Sequence, residues 1–383
     1  MPGPCRIALI GQKFMGKAHA NAWTQAPHHF TLPRRPVLQV VAGRDANELK
    51  AFAERWSIAD TTTRWQSLME RDDVDLVDVC TPNHLHAECS IAALEAGKHV
   101  ACEKPLAATL DEARAMRDAA RAAPRGTKTF VWFNYRRCPA VGLAHRLVKE
   151  GRLGRIFHVR ATYLQSWGGP ATPMSWRFRK KQAGSGAHGD LNAHIVDLCR
   201  FVTGDEISEV HGAVARTFVK ARIDASTGQS RRCDVDDAVS FLASLRGGAT
   251  ASFEATRVAP GHLNRNTLEI NGERGSLRFD FEDMNVLHFI DAEDGPREGG
   301  WRRIMCTAAG QHPYLEAWWP DAHVLGYEHG FVNQAADIVR SLSKQPPELP
   351  LPDFADAYET QRVLEAAMIA AREGAQVKLS QVQ

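Results

Sequence analysis

The stretch IALIGQKFMGKAHANAW, residues 7–23, decides the fold. Four apolar residues typical of a buried strand meet Gly11, and a segment with helical character follows. A strand, a glycine turn and a helix in this order begin the βα unit that binds dinucleotides. The full fingerprint has a glycine at position 13, where this chain has Lys13. The motif alone therefore leaves two interpretations open, a cofactor loop with one substitution or a chance Gly-x-x-x-x-Gly.

The loop residues of this motif can be assigned separate tasks. Gly11 and Gly16 suit the tight bend and the close packing of helix on strand. The Cβ of Lys13 occupies space where a pyrophosphate would lie against bare backbone, although its ammonium can reach a phosphate oxygen. Phe14 and Met15 complete the predicted cofactor loop.

A second cofactor signal follows the next apolar run, VLQVVAG at 37–43. Arg44 could hold the 2′-phosphate of NADP, and Asp45 could accept the ribose 2′-hydroxyl of NAD. Asp45 and Glu48 also have capping-box spacing, so Asp45 is equally predicted to begin a helix. The sequence therefore predicts NAD or NADP without choosing between them.

Length and composition restrict the remaining possibilities. The chain has 383 residues, which predicts two domains, and its 44% hydrophobic and 24% charged residues are ordinary for a globular protein. A net charge of +2 with interspersed signs indicates no nucleic-acid or membrane partner. The eight scattered cysteines include no Cys-x-x-Cys pair and predict free thiols. The strand predicted near the N-terminus leaves no room for a secretion signal, so we expect a cytoplasmic protein.

The hydrophobic pattern changes along the chain. The first third alternates apolar runs with helical segments, which predicts an α/β fold with a doubly wound parallel sheet. Beyond about residue 150, alternating strands predict a second, largely antiparallel sheet. AVSFLASLRGGATASFEATR, residues 238–257, predicts a hairpin with a two-residue turn at Gly247 and Gly248. The alanine-rich stretch 356–374 predicts a final helix.

Two further motifs carry a more specific signal, TPNHLHAECSIAALEAGKHVACEKPLA at 81–107 and GSGAHGDLNAHIVDLCRFVTG at 184–204. With the opening turn, they make the chain resemble the Gfo/Idh/MocA family of NAD(P)-dependent oxidoreductases along nearly its whole length. The stretches 133–137, 162–167 and 175–178 resemble its inositol and levoglucosan dehydrogenase branch. The resemblance implies a Rossmann domain at 1–135. It also implies a C-terminal α+β domain at 136–383, whose large open-faced sheet assembles a homodimer or homotetramer.

The chemistry of alcohol oxidation can be compared with the residues of these motifs. A secondary hydroxyl must lose a proton to a base while the nicotinamide accepts a hydride. Asp190 and His194 stand at i and i+4, on one face of a helix if the segment is helical, and a carboxylate orients an imidazole and raises its basicity. His194 is therefore the predicted proton acceptor. Lys104, in the family's Glu-Lys-Pro motif, would stabilise an alkoxide or act as the base itself.

The resemblance implies further site residues. Cofactor contacts are implied for Thr81, Pro82, Asn83, His86, Glu103 and Lys104. Substrate contacts are implied for Lys104, Tyr135, Gln165, Trp167, Trp176, Arg177, Asp190 and His194. Alternation of Gln165 and Trp167 along a strand would equally suit the cover of a sheet face. A metal site at Asp190, His194 and Asp197 would need further ligands, and no metal is predicted.

These features together predict an NAD(P)-dependent dehydrogenase. It would oxidise a ring secondary hydroxyl of a sugar, anhydrosugar or cyclic polyol by hydride transfer to nicotinamide C4. Two alternatives remain from other classes. One is a non-catalytic sugar-sensing protein of the same fold, and the other is an NAD-dependent glycosidase or lyase that oxidises its substrate transiently.

Overall fold

The computed structural model describes residues 3–295, 297–308 and 310–383. The chain divides into two compact units, and the first comprises the residues up to Arg137 together with Pro313–Pro320 and Gly326–Tyr358. The second comprises Cys138–His312, Asp321–Leu325 and Glu359–Gln383. Within the described ranges, none of the helices combines the length and the hydropathy needed to cross a bilayer.

The first unit contains a six-stranded parallel sheet. Its elements up to residue 137 are β1 (Cys5–Ile10), α1 (Phe14–His29), β2 (Pro36–Ala42), α2 (Ala46–Trp56), β3 (Asp60–Thr62), β4 (Leu76–Val79), α3 (His86–Glu95), β5 (His99–Cys102), α4 (Leu110–Ala122) and β6 (Thr129–Val131). The strand order β3-β2-β1-β4-β5-β6 is that of a Rossmann fold and confirms the predicted doubly wound sheet. Ligands of such sheets bind beyond the carboxyl ends of the strands, where the order reverses between β1 and β4.

The sequence explains where several of these elements begin. Thr109 and Glu112 form a full capping box at α4, with a hydrogen bond in each direction. Asp45 caps α2 by accepting hydrogen bonds from two backbone N–H groups. Residues of β1 and β4 are buried on both faces, as expected for a parallel sheet covered by helices.

The second unit contains a nine-stranded sheet and a small two-stranded one. The remaining elements of the chain are α5 (Pro139–Lys149), β7 (Ile156–Leu164), α6 (Lys180–Ala183), α7 (Ala193–Thr203), β8 (Ile207–Arg216), β9 (Ala221–Ile223), β10 (Ser230–Arg232), β11 (Ala238–Leu245), β12 (Thr250–Thr256), β13 (Arg265–Gly272), β14 (Gly275–Asp280), β15 (Val286–Asp291), β16 (Arg302–Met305), α8 (Tyr327–Leu342), α9 (Phe354–Glu373) and β17 (Val377–Lys378). Of these, α8 belongs to the first unit, and the division between the units falls within α9.

The large sheet is mostly antiparallel, as predicted. Its order is β16-β15-β14-β13-β7-β12-β11-β8-β17, and among these pairs only β12 with β7 is parallel. Residues of β11 alternate between buried and exposed, so the two faces of the sheet differ. Val214 and Leu242 are about half exposed on one of these faces.

The predicted turn of the β11–β12 hairpin is wrong. The structure places residues 246–249 between the two strands, which makes the connection longer than the predicted two residues. A two-residue type I′ turn needs positive φ at both central residues. Gly248 has a φ of +91°, whereas Gly247 is outside the positive region. The predicted final helix is confirmed as α9.

Candidate active site

The glycine turn between β1 and α1 has the shape of a dinucleotide cradle. Gly11 has a φ of +113°, and a Cβ there would lie 2.7 Å from the carbonyl oxygen of Cys80. A Cβ on Gly16 would collide with the carbonyl oxygen of Gly11. Because α1 begins at Phe14 without a side-chain cap, its first N–H groups offer donors for an anion. The turn therefore requires both outer glycines and has the N–H donors that a pyrophosphate would need.

Lys13 is turned to a neighbouring helix. Its ammonium lies 2.6 Å from the carboxylate of Glu48 on α2, and the Lys13 side chain is 72% exposed. The Gln12 amide donates a second hydrogen bond to the same carboxylate. An exposed pair of this kind contributes about 0–1 kcal/mol, so the ammonium can be released at little cost.

The residues after β2 have separate positions. Asp45 Oδ1 accepts the backbone N–H groups of Asn47 and Glu48, both at 2.9 Å. The capping interpretation of Asp45 is confirmed by these bonds, and its contact with a ribose stays a prediction. Arg44 is exposed.

His86 joins the loops that follow β4 and β5. Its Nδ1 lies 2.9 Å from the carbonyl oxygen of Pro105, and its Nε2 lies 3.0 Å from that of Thr81. The ring is fully buried, and burial lowers the pKa of His86. The Lys104–Pro105 peptide bond is cis. Its ring lies between the Thr81-Pro82-Asn83 turn and the loop of Lys104, and the one N–H of the neutral ring donates to one of the two carbonyl oxygens.

Beneath these loops lies a buried ionic cluster that the sequence analysis did not predict. His19 of α1 is fully buried, with Nδ1 3.0 Å from Asp78 Oδ2 and Nε2 3.0 Å from Glu103 Oε1. Asp78 also accepts the indole N–H groups of Trp23 and Trp132, at 2.7 and 2.9 Å. The other oxygen of Glu103 accepts the backbone N–H of Lys104 at 3.0 Å. The helix that follows the glycine turn is thus connected to the backbone of Lys104.

The geometry of this cluster favours a protonated His19. Both ring nitrogens face carboxylate oxygens, and only an imidazolium has two N–H donors. Burial is the largest single influence and lowers the pKa of His19, but Asp78 and Cys80 together raise it further, so the pKa lies well above its ordinary value. His19 therefore sits between Asp78 and Glu103 as a cation.

The same cluster contains the ligand types of a metal site. Among the described residues, His19, Asp78 and Cys80 are the one such group whose ligand atoms lie within 4.8 Å of one another. Burial raises the pKa of the Cys80 thiol to about 12, which keeps the sulfur protonated. Both Asp78 oxygens already accept indole N–H groups. Hydrogen bonding accounts for the cluster without an ion.

In the second unit, Asp190 and His194 lie on consecutive helical segments. Asp190 belongs to a π-helical turn at His188–Asn192, and His194 to the first turn of α7. The segment is helical as required, but its first turn follows i→i+5 geometry, which recurs at functional sites. Asp236 caps this turn by accepting the N–H groups of Gly186 and His188 at 2.8 and 2.7 Å. His194 is 5% exposed, and its ring lies 5.8 Å from that of Tyr163.

Arg257, directly after β12, links predicted residues that are far apart in sequence. Its guanidinium donates to Asp190 Oδ2 at 2.9 Å and to the carbonyl oxygen of Arg177 at 3.2 Å. It also lies 5.1 Å from the ring centroid of Trp167. Arg257 is 2% exposed, so this link is an internal one. The structure thus brings Trp167, Arg177 and Asp190 around one side chain.

A chain of hydrogen bonds continues from Trp167. Its indole donates to Gln165 Oε1 at 2.6 Å, and the Gln165 amide donates to Asn264 Oδ1 at 2.6 Å. Tyr163 donates to the same oxygen of Asn264 at 2.8 Å. Because Tyr163 also lies beside His194, this chain connects the predicted sugar contacts with the predicted base.

Two predicted substrate residues, Trp176 and Tyr135, lie apart from this chain of bonds. The Arg177 guanidinium lies over the Trp176 ring at 4.5 Å in a 3-10 turn at Trp176–Phe178. Tyr135 belongs to the first unit, where its ring lies 6.5 Å from that of Tyr327. Their contacts with substrate stay predictions.

Comparisons with known proteins agree with this geometry. Residues 5–128 match the model of the oxidoreductase family with an NAD-binding Rossmann fold, and residues 141–278 match the GFO/IDH/MocA C-terminal domain. Levoglucosan dehydrogenase of Pseudarthrobacter phenanthrenivorans is 38% identical over 98% of both chains. The chain belongs to the Gfo/Idh/MocA family. It is an NAD-binding oxidoreductase that acts on CH–OH groups.

Solved structures of this family are similar to this chain over nearly its whole length. An oxidoreductase domain protein from Kribbella flavida is 51% identical, with a TM-score of 0.94 over 99% of this chain and 100% of that one. A levoglucosan dehydrogenase in complex with NADH and levoglucosan is 39% identical, with a TM-score of 0.92 over 98% of this chain and 99% of that one.

The first unit fits the NAD that the family binds. The start of α1, whose N-cap residue makes no capping side-chain hydrogen bond, offers backbone N–H donors to a pyrophosphate. The buried Oγ1 of Thr81 has no hydrogen-bond partner within the described residues, and a polar cofactor atom would satisfy it. Gly11, Gly16 and Thr81 are therefore the residues that would hold the cofactor.

The residues that the sequence analysis did not predict differ in how clearly the sequence marks them. Asp78 interrupts the apolar strand LVDV, and a carboxylate on such a strand needs buried donors, which His19, Trp23 and Trp132 provide. Arg257 and Asn264 lie at the end of a strand and in a loop, where polar residues are common. Their importance depends on contacts between distant segments of this Gfo/Idh/MocA protein.

Proposed function

We propose that this protein is a dehydrogenase that oxidises a ring secondary hydroxyl of a sugar, anhydrosugar or cyclic polyol to the ketone. The observation that carries the proposal is the meeting of Asp190, Trp167 and Arg177 around Arg257. A predicted catalytic carboxylate thereby shares one buried side chain with two predicted sugar contacts. Membership of the Gfo/Idh/MocA family supports the same reaction type.

The residues divide the reaction between them. NAD(P)⁺ held at Gly11, Gly16 and Thr81 would supply, at nicotinamide C4, the acceptor for the hydride of the carbinol carbon. His194 takes the hydroxyl proton as general base, and Asp190 stabilises the resulting imidazolium. The Lys104 ammonium stabilises the negative charge that develops on the substrate oxygen. Glu103 holds the Lys104 backbone in place through its hydrogen bond to the Lys104 N–H.

The substrate is proposed to be a neutral ring compound with several hydroxyl groups. Trp167 offers an aromatic face to sugar C–H groups, and Gln165 offers polar atoms to hydroxyls. The similarity to levoglucosan dehydrogenase supports an anhydrosugar as the first substrate to test.

The remaining parts of the proposal concern cofactor choice and context. Arg44 and Asp45 leave both NADP and NAD open. We propose that residues 1–135 bind the cofactor and 136–383 the substrate. We also propose a cytoplasmic protein without nucleic-acid or membrane partners, which its eight free thiols support. The half-exposed Val214 and Leu242 on the large sheet support a homodimer or homotetramer.

A substrate panel tests the function. Purified protein is mixed with levoglucosan, inositols and aldoses, each with NAD⁺ and NADP⁺, and nicotinamide absorbance is followed together with product formation. We expect reduced cofactor with at least one substrate and none with His194→Ala. Product without net reduction would favour the glycosidase or lyase. Sugar binding without turnover, unchanged in His194→Ala, would favour the sensor.

A further inference from the structure

Arg257 occupies the centre of the second unit's predicted substrate residues, yet no motif marks it. Its side chain is almost fully buried. Its guanidinium contacts the carboxylate of Asp190, the backbone carbonyl of Arg177 and the ring of Trp167. One cation therefore contacts a predicted catalytic residue and two predicted sugar-binding residues.

The backbone fixes the position of this guanidinium. The Arg257 N–H donates to the carbonyl oxygen of Asp237 at 3.0 Å, and the Gly168 N–H donates to the Arg257 carbonyl at 2.9 Å. A Cβ on Gly168 would lie 2.8 Å from the Cβ of Arg257, so residue 168 must be small. The segment that follows Trp167 is thus held directly against Arg257.

We propose that Arg257 is a positioning residue for substrate oxidation, fixing the Asp190 carboxylate and the Trp167 ring in one arrangement around the reacting sugar. The inference rests on the proposed function, since it assigns Asp190 to catalysis. Arginine suits this task because its planar group pairs with a carboxylate and lies beside an aromatic ring at the same time. Lysine keeps the charge but loses this double geometry.

The charge of Arg257 has a consequence for the pH dependence of the reaction. The titratable and charged groups on the elements around Asp190 are His188 on the same π turn, His194 on α7, Asp236, which caps that turn, and Arg257, which pairs with Asp190. Arg177 contributes its backbone carbonyl, and its guanidinium lies over the Trp176 ring. Removal of a cation raises the pKa of a neighbouring carboxyl or imidazole. Whichever of Asp190 and His194 sets the acid limb of kcat/KM, that limb moves to higher pH without Arg257.

The test compares Arg257→Gln, Arg257→Lys and a control at a second buried arginine. Arg222 donates to the carbonyl oxygens of Gly168 and Gly169, both at 2.6 Å, and lies 3.7 Å from the Phe178 ring centroid. It holds the same loop by carbonyl contacts and pairs with Asp237 at 3.7 Å rather than with Asp190, so Arg222→Gln removes a buried cation that is no partner of Asp190 in the described contacts.

We expect Arg257→Gln to lower kcat/KM for the sugar by about 10- to 100-fold. Its acid limb should move up by about one pH unit or more. Arg257→Lys should keep the wild-type acid limb with a reduced kcat, and Arg222→Gln should also keep that limb. NADH affinity should be unchanged in both Arg257 variants.

Two results would overturn the inference. One is an Arg257→Gln acid limb equal to that of wild type, and the other is an equal displacement in Arg222→Gln. If Arg257→Gln fails to fold, Arg257→Lys decides, because a kcat and an acid limb both equal to those of wild type would exclude positioning by the guanidinium. Wild-type protein that oxidises no sugar would instead refute the proposed function itself.

Discussion

Each unit places a buried cation behind a residue that we assign to the chemistry. In the first unit, His19 lies between Asp78 and Glu103, and Glu103 holds the backbone of Lys104. In the second unit, Arg257 pairs with Asp190. The arrangements differ in the nature of the cation, since an imidazolium loses its proton as the pH rises through its pKa and a guanidinium keeps its charge.

Because of this difference, we expect His19 to act mainly on stability and Arg257 mainly on catalysis. His19 reaches Lys104 only through Glu103 and the backbone, so its main effect should be on the stability of the first unit. Arg257 contacts the carboxylate of Asp190 directly, so its effect should be seen in turnover and its pH profile. The following predictions test this difference between His19 and Arg257.

The largest expected effect tests whether Lys104 and His194 serve one reaction. Lys104→Ala and His194→Ala should each lower kcat by about 10²- to 10⁴-fold, because each removes a group that stabilises charge or moves a proton in the transition state. The kcat of the double variant should be little lower than that of the less active single variant, since the effects of groups that act as a unit are not additive. Steady-state kinetics that show fully multiplicative losses would contradict a shared step.

A smaller effect is expected for His19→Asn. This change leaves two carboxylates buried without their cation and should lower the free energy of unfolding by about 3–5 kcal/mol at pH 6. Urea unfolding of the folded holoprotein provides the measurement. His99→Asn is the matched control, since His99 accepts a hydrogen bond from the Lys128 backbone N–H and is less deeply buried. Equal losses in both variants would argue against a special role for the His19 cation.

The stability conferred by His19 should depend on pH. The pKa of His19 is raised above its ordinary value of 6.5, so the folded protein retains a proton that the unfolded chain loses. The contribution is complete below pH 6.5 and disappears as the pH rises through the folded pKa. The stability difference between wild type and His19→Asn should therefore shrink by up to about 1.4 kcal/mol per pH unit above 6.5. A difference that stays constant to pH 9 would mean that His19 is neutral.

The smallest expected effect concerns Lys13. Its ammonium is held by Glu48 at an exposed site, so Lys13→Gly should change the Kd for NADH by less than about fivefold, the equivalent of 1 kcal/mol. Glu48→Gln serves as the control, because it frees the ammonium while leaving its charge in place. A loss of affinity of a hundredfold in Lys13→Gly would assign Lys13 to the pyrophosphate.

The sequence predicted the parts of this molecule that depend on local pattern. The parallel sheet followed from alternating apolar runs and helices, and the cap of α2 at Asp45 from its spacing of three residues to Glu48. The catalytic roles of Lys104, Asp190 and His194 came from family motifs and stay predictions. The β11–β12 turn failed, because two adjacent glycines permit positive φ without requiring it.

What could not be predicted depends on long-range contacts. Asp78 meets a histidine and two tryptophans from positions 19, 23 and 132, and Arg257 meets residues 80 and 67 positions earlier in the chain. A local window contains neither set. The π turn at Asp190 also escaped prediction, because its sequence has the composition of an ordinary helix.

The proposed dehydrogenase reaction can be tested by following the transfer of deuterium from the sugar to the nicotinamide. Levoglucosan or another accepted sugar is deuterated at the carbinol carbon and incubated with the enzyme and NAD(P)⁺, and the released cofactor is examined by mass spectrometry. We expect one deuterium in the reduced nicotinamide for each ketone molecule formed. In His194→Ala, we expect loss of both the ketone and the deuterated cofactor. Release of a sugar product without deuterium in the cofactor would contradict a dehydrogenase.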